Sequence, residues 1–170
     1  MATAGGQVRI LNDSFLRWLP SPLREPVSAW KTLAVAPLVT VPLSLILSAL
    51  VTTLLPNLKT PVFPPSHWLV ELFNIVVLSP VVETLAMAGI LAIFLKFLTK
   101  PQAILASAAT WGCLHSLVAS AWGLIVWWPF IIFSTIYLAW RQRGFWTGCA
   151  LAAGAHLLHN LISLGLIKLL

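Results

Sequence analysis

The sequence predicts an all-α membrane protein: a polytopic bundle of about five transmembrane helices, preceded by a short amphipathic helix in the membrane interface. Three observations predict it. Hydrophobic residues make up 59% of the chain and charged residues only 8%, against about 25% charged in a soluble domain. The apolar residues gather into five runs, each long enough for the ~20 residues that cross a hydrocarbon core. The Lys and Arg residues sit between those runs and favour alternate ends. The 170 residues divide into an N-terminal segment, 1–32, and a transmembrane helical domain, 33–170.

Taken in order, residues 1–7 are small and polar. Val8, Leu11, Phe15, Trp18 and Leu19 then recur at helical spacing, with Arg9, Asp13 and Arg17 between them. This is the pattern of a helix lying in the interface, over Val8 to Leu19. Pro20, Pro22 and Pro26 end it. No cleavable signal sequence is expected, because the first 30 residues lack an apolar core of the needed length.

The first span is expected from about Leu33 to Leu55, with Pro37 and Pro42 inside it. A loop with four prolines and Lys59 follows, from Pro56 to Ser66. The next apolar segment, Trp68 to Leu98, would reach ~46 Å at 1.5 Å per residue. It must tilt, kink at Pro80 or protrude. Pro101 suits the first turn of the third span, which runs to about Ser120. The fourth runs from Trp122 to Trp140, and its Trp127-Trp128-Pro129 run suggests a break. The fifth runs from Phe145 to Ile167. Cys113 and Cys149 lie on different predicted helices without Cys-x-x-Cys spacing and read as small packing residues.

The charges orient the bundle. With the N-terminus inside, the cytoplasmic segments hold Arg9, Arg17, Arg24, Lys31, Lys96, Lys100, Arg141 and Arg143, and only Lys59 and Lys168 fall outside. The expectation is an integral multi-pass protein of a bacterial plasma membrane with a cytoplasmic N-terminus. The net charge of +6 then serves topology and lipid headgroups, and no nucleic-acid partner is expected.

Glu83 is the outstanding residue. It is one of four acidic residues, and no Lys or Arg lies within ten positions of it. A charge at the bilayer centre costs about 2.5–3.5 kcal/mol by insertion scales, so it needs partners. Counted from the inner ends of their spans, Glu83, His115, His156 and Asn160 all lie ~16–23 Å deep. Three spans thus carry polar groups into one layer. His156 and Asn160 are spaced i, i+4 on one helix face, as are Trp111 and His115, and Ser79 and Glu83. The Ser79 hydroxyl is placed to hold the carboxylate. His159, one step off the His156 face, reads as a helix-packing hydrogen-bonder, and His67 as an interface residue.

A carboxylate beside an imidazole can hold and deprotonate a water, while a second imidazole and an amide stabilise an oxyanion. Glu83, His115 and His156 are also the set that would hold a zinc ion with an open position, although no His-Glu-x-x-His sequence is present.

These residues resemble the motifs of the CAAX-processing and bacteriocin-processing (CPBP) intramembrane proteases, relatives of the type II CAAX prenyl endopeptidases. The family's first motif reads roughly Pro-x-x-Glu-Glu-x-x-Phe-Arg-Gly, and Pro80, Glu83 and Gly89 match it in register. Its second is an aromatic residue, three others and His, here Trp111 and His115. Its third is His-x-x-x-Asn, here His156 and Asn160. The resemblance covers residues 68–165. It implies an intramembrane endopeptidase acting on a membrane-associated protein or peptide, with Glu83 and His115 activating water and His156 and Asn160 forming the oxyanion site. A metal-free mechanism with no cofactor is the expectation it carries, and zinc the alternative. The sequence departs from the family at Thr84, Met87 and Ala88, which replace the second Glu, the Phe and the Arg. Those departures support a second reading, a catalytically weak or inactive binding partner or immunity and maturation factor on the same fold. A third, an ion or proton carrier, lacks an inverted repeat and a continuous polar stripe.

Overall fold

A computed structural model describes residues 11–12, 14–62 and 67–169. The described residues form helices and turns, with no strand. Five long helices make the bundle: α1 Ala29–Leu54, α2 Trp68–Phe94, α3 Lys100–Val118, α4 Ser120–Trp140 and α5 Phe145–Leu169. Four of them, α1, α2, α4 and α5, are long and apolar enough to cross a membrane. The exception, α3, carries Gln102, Ser107, Thr110 and His115. It still runs the full depth of α4. Its C-terminus joins α4 through Ala119 alone, and its first residue shares a recess with Arg141 at the far end of α4.

The core is built around α4. Every residue from Pro129 to Trp140 is buried, as expected of a helix apolar on all sides. The expected break at Trp127-Trp128-Pro129 is absent, and α4 runs straight through Pro129. Neighbouring helices secure this stretch. The Trp128 indole N–H donates to the Val39 carbonyl of α1 at 3.1 Å, beside the Leu38 carbonyl that Pro42 cannot serve.

α3 and α4 form the tightest pair. A Cβ on Gly123 would lie 2.1 Å from the Gly112 carbonyl oxygen and 1.9 Å from Ser116 Oγ. Only glycine lets the two backbones approach so closely, a common device between membrane helices.

Two clasps define the ends of the bundle. At one, the Lys59 N–H donates to Ser120 Oγ at 3.1 Å and the Lys59 carbonyl accepts from the Ala121 N–H at 3.0 Å. The loop after α1 is thereby fastened over the α3–α4 turn. At the other, the Trp140 indole donates to Thr32 Oγ1 at 3.2 Å, and Thr32 donates to the Pro22 carbonyl at 2.7 Å. Arg17, Arg24, Lys31, Lys96, Lys100, Arg141 and Arg143 all belong to this second end, and Lys59 to the first. Arg9 and the Lys168 side chain lie outside the described residues. The charge asymmetry read from the sequence is therefore an asymmetry between the ends of the bundle.

The N-terminal segment differs from its expected form. Val8, Arg9 and Asp13 lie outside the described residues. Within them the helix is not continuous to Leu19. Ser14 has extended backbone, accepts from the Leu16 N–H and leads into a 3₁₀ turn, Phe15–Trp18. Leu11 and Leu16 are buried in the core, whereas Phe15 and Trp18 are exposed. A one-turn helix, Ser21–Arg24, buries Leu23 beside them. Cys149 packs inside as expected, but Cys113 lies on the outer surface.

Candidate functional site

α2 carries the carboxylate, and its local form follows from Pro80. Proline has no N–H to donate and crowds the preceding turn. The chain answers with a π-helical stretch, Phe73–Leu78, between the α-helical pieces Trp68–Leu72 and Ser79–Phe94. The Ser79 N–H bonds the Asn74 carbonyl, five residues back. In that register the Ile75 carbonyl would take the N–H of residue 80, which does not exist. The side-chain amide of Asn160 on α5 supplies the missing donor, at 2.8 Å. Pi turns of this kind recur at functional sites.

One turn further on, the Ser79 hydroxyl donates to Glu83 Oε1, as the i, i+4 spacing predicts. Glu83 Oε2 faces His115 Nε2 on α3 at 3.9 Å. That is too long for a direct hydrogen bond and short enough for one water to bond both. His115 Nδ1 lies 2.9 Å from the Trp111 carbonyl. A carbonyl only accepts, so Nδ1 carries a proton and donates to it, which leaves Nε2 turned toward the carboxylate. The Trp122 ring meets His115 edge-on at 4.7 Å and holds its orientation. Both side chains keep a little exposure, 19% for Glu83 and 11% for His115, so the pair is not sealed.

His156 is buried on α5, and Asn160, one turn on, is half-buried. The His156 ring stacks on Phe133 at 4.5 Å, and its Nδ1 is buried with no hydrogen-bond partner among the described residues. Phe130 touches both imidazoles, with ring centroids 5.8 Å from His115 and 5.5 Å from His156. The four candidate residues thus form a Glu83–His115 pair and a His156–Asn160 face, with Phe130 in contact with both imidazoles. His159 Nδ1 lies 3.0 Å from Thr40 Oγ1 of α1, the helix-packing role read from its position. Among the described residues no three His, Cys, Asp or Glu side chains gather into a metal-ligand set.

Thr84, Met87 and Ala88, the positions that depart from the first motif, are all buried. Met87 Sδ accepts from Ser134 Oγ at 3.3 Å, and Thr84 Oγ1 makes no hydrogen bond among the described residues. The face that would carry a second carboxylate and a guanidinium is filled with small and apolar groups. Sequence reasoning passed over Trp122 and Phe130. Trp122 starts a predicted span and reads there as an interfacial anchor. Phe130 is one apolar residue among many in an apolar run.

Compared with known proteins, the chain matches no family model, no curated protein and no solved structure.

Proposed function

We propose that this protein is an intramembrane endopeptidase of the CPBP type, which cleaves a membrane-associated peptide with water activated by Glu83 and His115. The observation that supports it is the facing of Glu83 Oε2 and His115 Nε2 across 3.9 Å, on two different helices and both partly accessible. With the carboxyl ionised and the imidazole neutral, the states this mechanism requires, both atoms are hydrogen-bond acceptors. A water between them donates one hydrogen to each, which turns its lone pairs toward an incoming carbonyl carbon. As the water oxygen bonds that carbon, Glu83 takes the proton and the carbonyl electrons move onto oxygen. When the C–N bond breaks, the proton passes to the leaving nitrogen. Ser79 holds the other carboxylate oxygen and fixes the direction of Oε2. The second N–H of the Asn160 amide and the His156 ring are the candidates for stabilising the oxyanion. The basic end of the bundle faces the cytoplasm in this reading.

A specific observation favours the second reading, a non-catalytic membrane partner. Asn160 already spends one N–H on Ile75, and His156 is packed against Phe133. Both roles are structural without any substrate. Cleavage of a reporter membrane peptide by equal amounts of folded protein separates the two. Glu83→Gln keeps the shape and removes the base, so it should lose ~10²–10⁴-fold in rate. His159→Ala should retain most activity. No cleavage by the wild type across a panel of membrane peptides favours the partner reading, and full activity in Glu83→Gln rejects the mechanism. Inactivation by a chelator with rescue by zinc moves the assignment to a metal site.

A further inference from the structure

At the basic end, Leu95, Lys100, Leu138, Arg141 and Gln142 enclose a half-open recess of about 450 Å³. It lies where the end of α2, the start of α3 and the end of α4 meet, away from Glu83. Its polar lining is an ammonium, a guanidinium and the Gln142 amide, with no carboxylate among the lining residues. Gln142 Nε2 is buried without a hydrogen-bond partner among the described residues. A buried donor left unserved is unfavourable, so this atom favours a ligand that accepts. α3 begins at Lys100, which brings the positive end of its helix dipole to the same place. Burial, and then the charge of Arg141, hold Lys100 below the usual lysine range. An anion beside both cations offsets each effect.

The surroundings indicate where such an anion comes from. Arg17 lies over Trp18 and Lys31 over Trp30, two exposed indoles, with cation-to-ring distances of 5.1 and 5.6 Å. Paired cations and indoles of this sort mark the headgroup level of a bilayer. Leu95 and Leu138 form the apolar side of the recess, suited to the glycerol end of a lipid. Basic pockets between membrane helices are headgroup sites by the same chemistry.

We propose that this recess binds the phosphate of an anionic lipid headgroup, held by Lys100, Arg141 and Gln142. The proposal is independent of the protease reading.

The test uses the full chain purified in detergent, with phosphatidylglycerol and phosphatidylcholine as probes and native mass spectrometry to count retained lipids. One phosphatidylglycerol should be retained at least tenfold more than phosphatidylcholine. Arg141→Gln and Lys100→Gln should each lower that preference fivefold or more, and Arg143→Gln, outside the recess, should leave it unchanged. Thermal unfolding of the wild type alone gives a readout that no variant can confuse: phosphatidylglycerol should raise the midpoint and phosphatidylcholine should not. Equal retention of the two lipids overturns the proposal. So does an equal loss in Arg143→Gln, which would mean diffuse surface charge. Displacement of the lipid by millimolar inorganic phosphate would assign the recess to free phosphate instead.

Discussion

The side-chain amide of Asn160 donates to the backbone carbonyl of Ile75 across 85 positions of sequence. It fills the place of the N–H that Pro80 lacks. Asn160→Ala should therefore destabilise the fold by about 1–3 kcal/mol, the cost of an unserved buried acceptor. In a Pro80→Ala background residue 80 regains an N–H, and the same Asn160→Ala change should cost much less. A double-mutant cycle on thermal unfolding in detergent measures the coupling. Equal costs in both backgrounds would show that Asn160 does not answer the proline.

Thr84 and Ala88, 1% and 2% exposed, lie one turn apart on the inner face of α2. Thr84→Glu or Ala88→Arg alone buries an unpaired charge, and each should cost about 3–5 kcal/mol. The double change should recover part of that loss by pairing. Thr84→Gln with Ala88→Met introduces similar bulk without charge and isolates the packing penalty. Additive losses in the charged pair refute the pairing.

Gly123→Ala should destabilise the α3–α4 hairpin by about 1–3 kcal/mol. The added methyl meets the Gly112 carbonyl, which belongs to a helix backbone and cannot swing aside. Gly89→Ala, on the same kind of apolar helix but with nothing within 4 Å, serves as the control and should be near neutral. Comparable melting points for both variants would contradict the close approach.

Single-cysteine labelling in intact cells checks the orientation, in a background where Cys113 and Cys149 are replaced by Ala. Lys59→Cys should react with an impermeant reagent from outside, and Gln142→Cys only after permeabilisation. The clasp from Lys59 to Ser120 and Ala121 fixes these two positions at opposite ends. The reverse pattern would invert the bundle in the membrane.

Helix ends were legible because their causes are local. Pro101, expected in the first turn of a span, is the second residue of α3. Ser79 reaches Glu83 by helix spacing alone. The direction each apolar residue faces was not legible. In water an apolar stripe marks the core, but in a bilayer lipid accepts apolar groups equally. Hence Leu16 is buried while Phe15 and Trp18, also apolar, are exposed. Prolines were ambiguous for a related reason. Each announces a missing donor, but what replaces it comes from another helix. Pro129 leaves α4 unbroken, whereas Pro80 accompanies a π turn. The pairing of Asn160 with Ile75 is of the same kind, and only the assembled bundle reveals it.

The π turn also sets an angular phase. Each residue added to a helix turns the remainder by about 100° about the axis, and a π turn amounts to one such extra residue. The portion of α2 bearing Glu83 is therefore rotated relative to the portion bearing Trp68, and both portions meet α5 only with that offset. The two halves of α2 are keyed to the same neighbour through different settings. A deletion of one residue between Phe73 and Leu78 would return the stretch to α-helical register and shorten it very little. It would nonetheless turn either the carboxylate or the outer end of the span away from its seat. The number of residues in that turn, more than their identity, decides which way Glu83 looks.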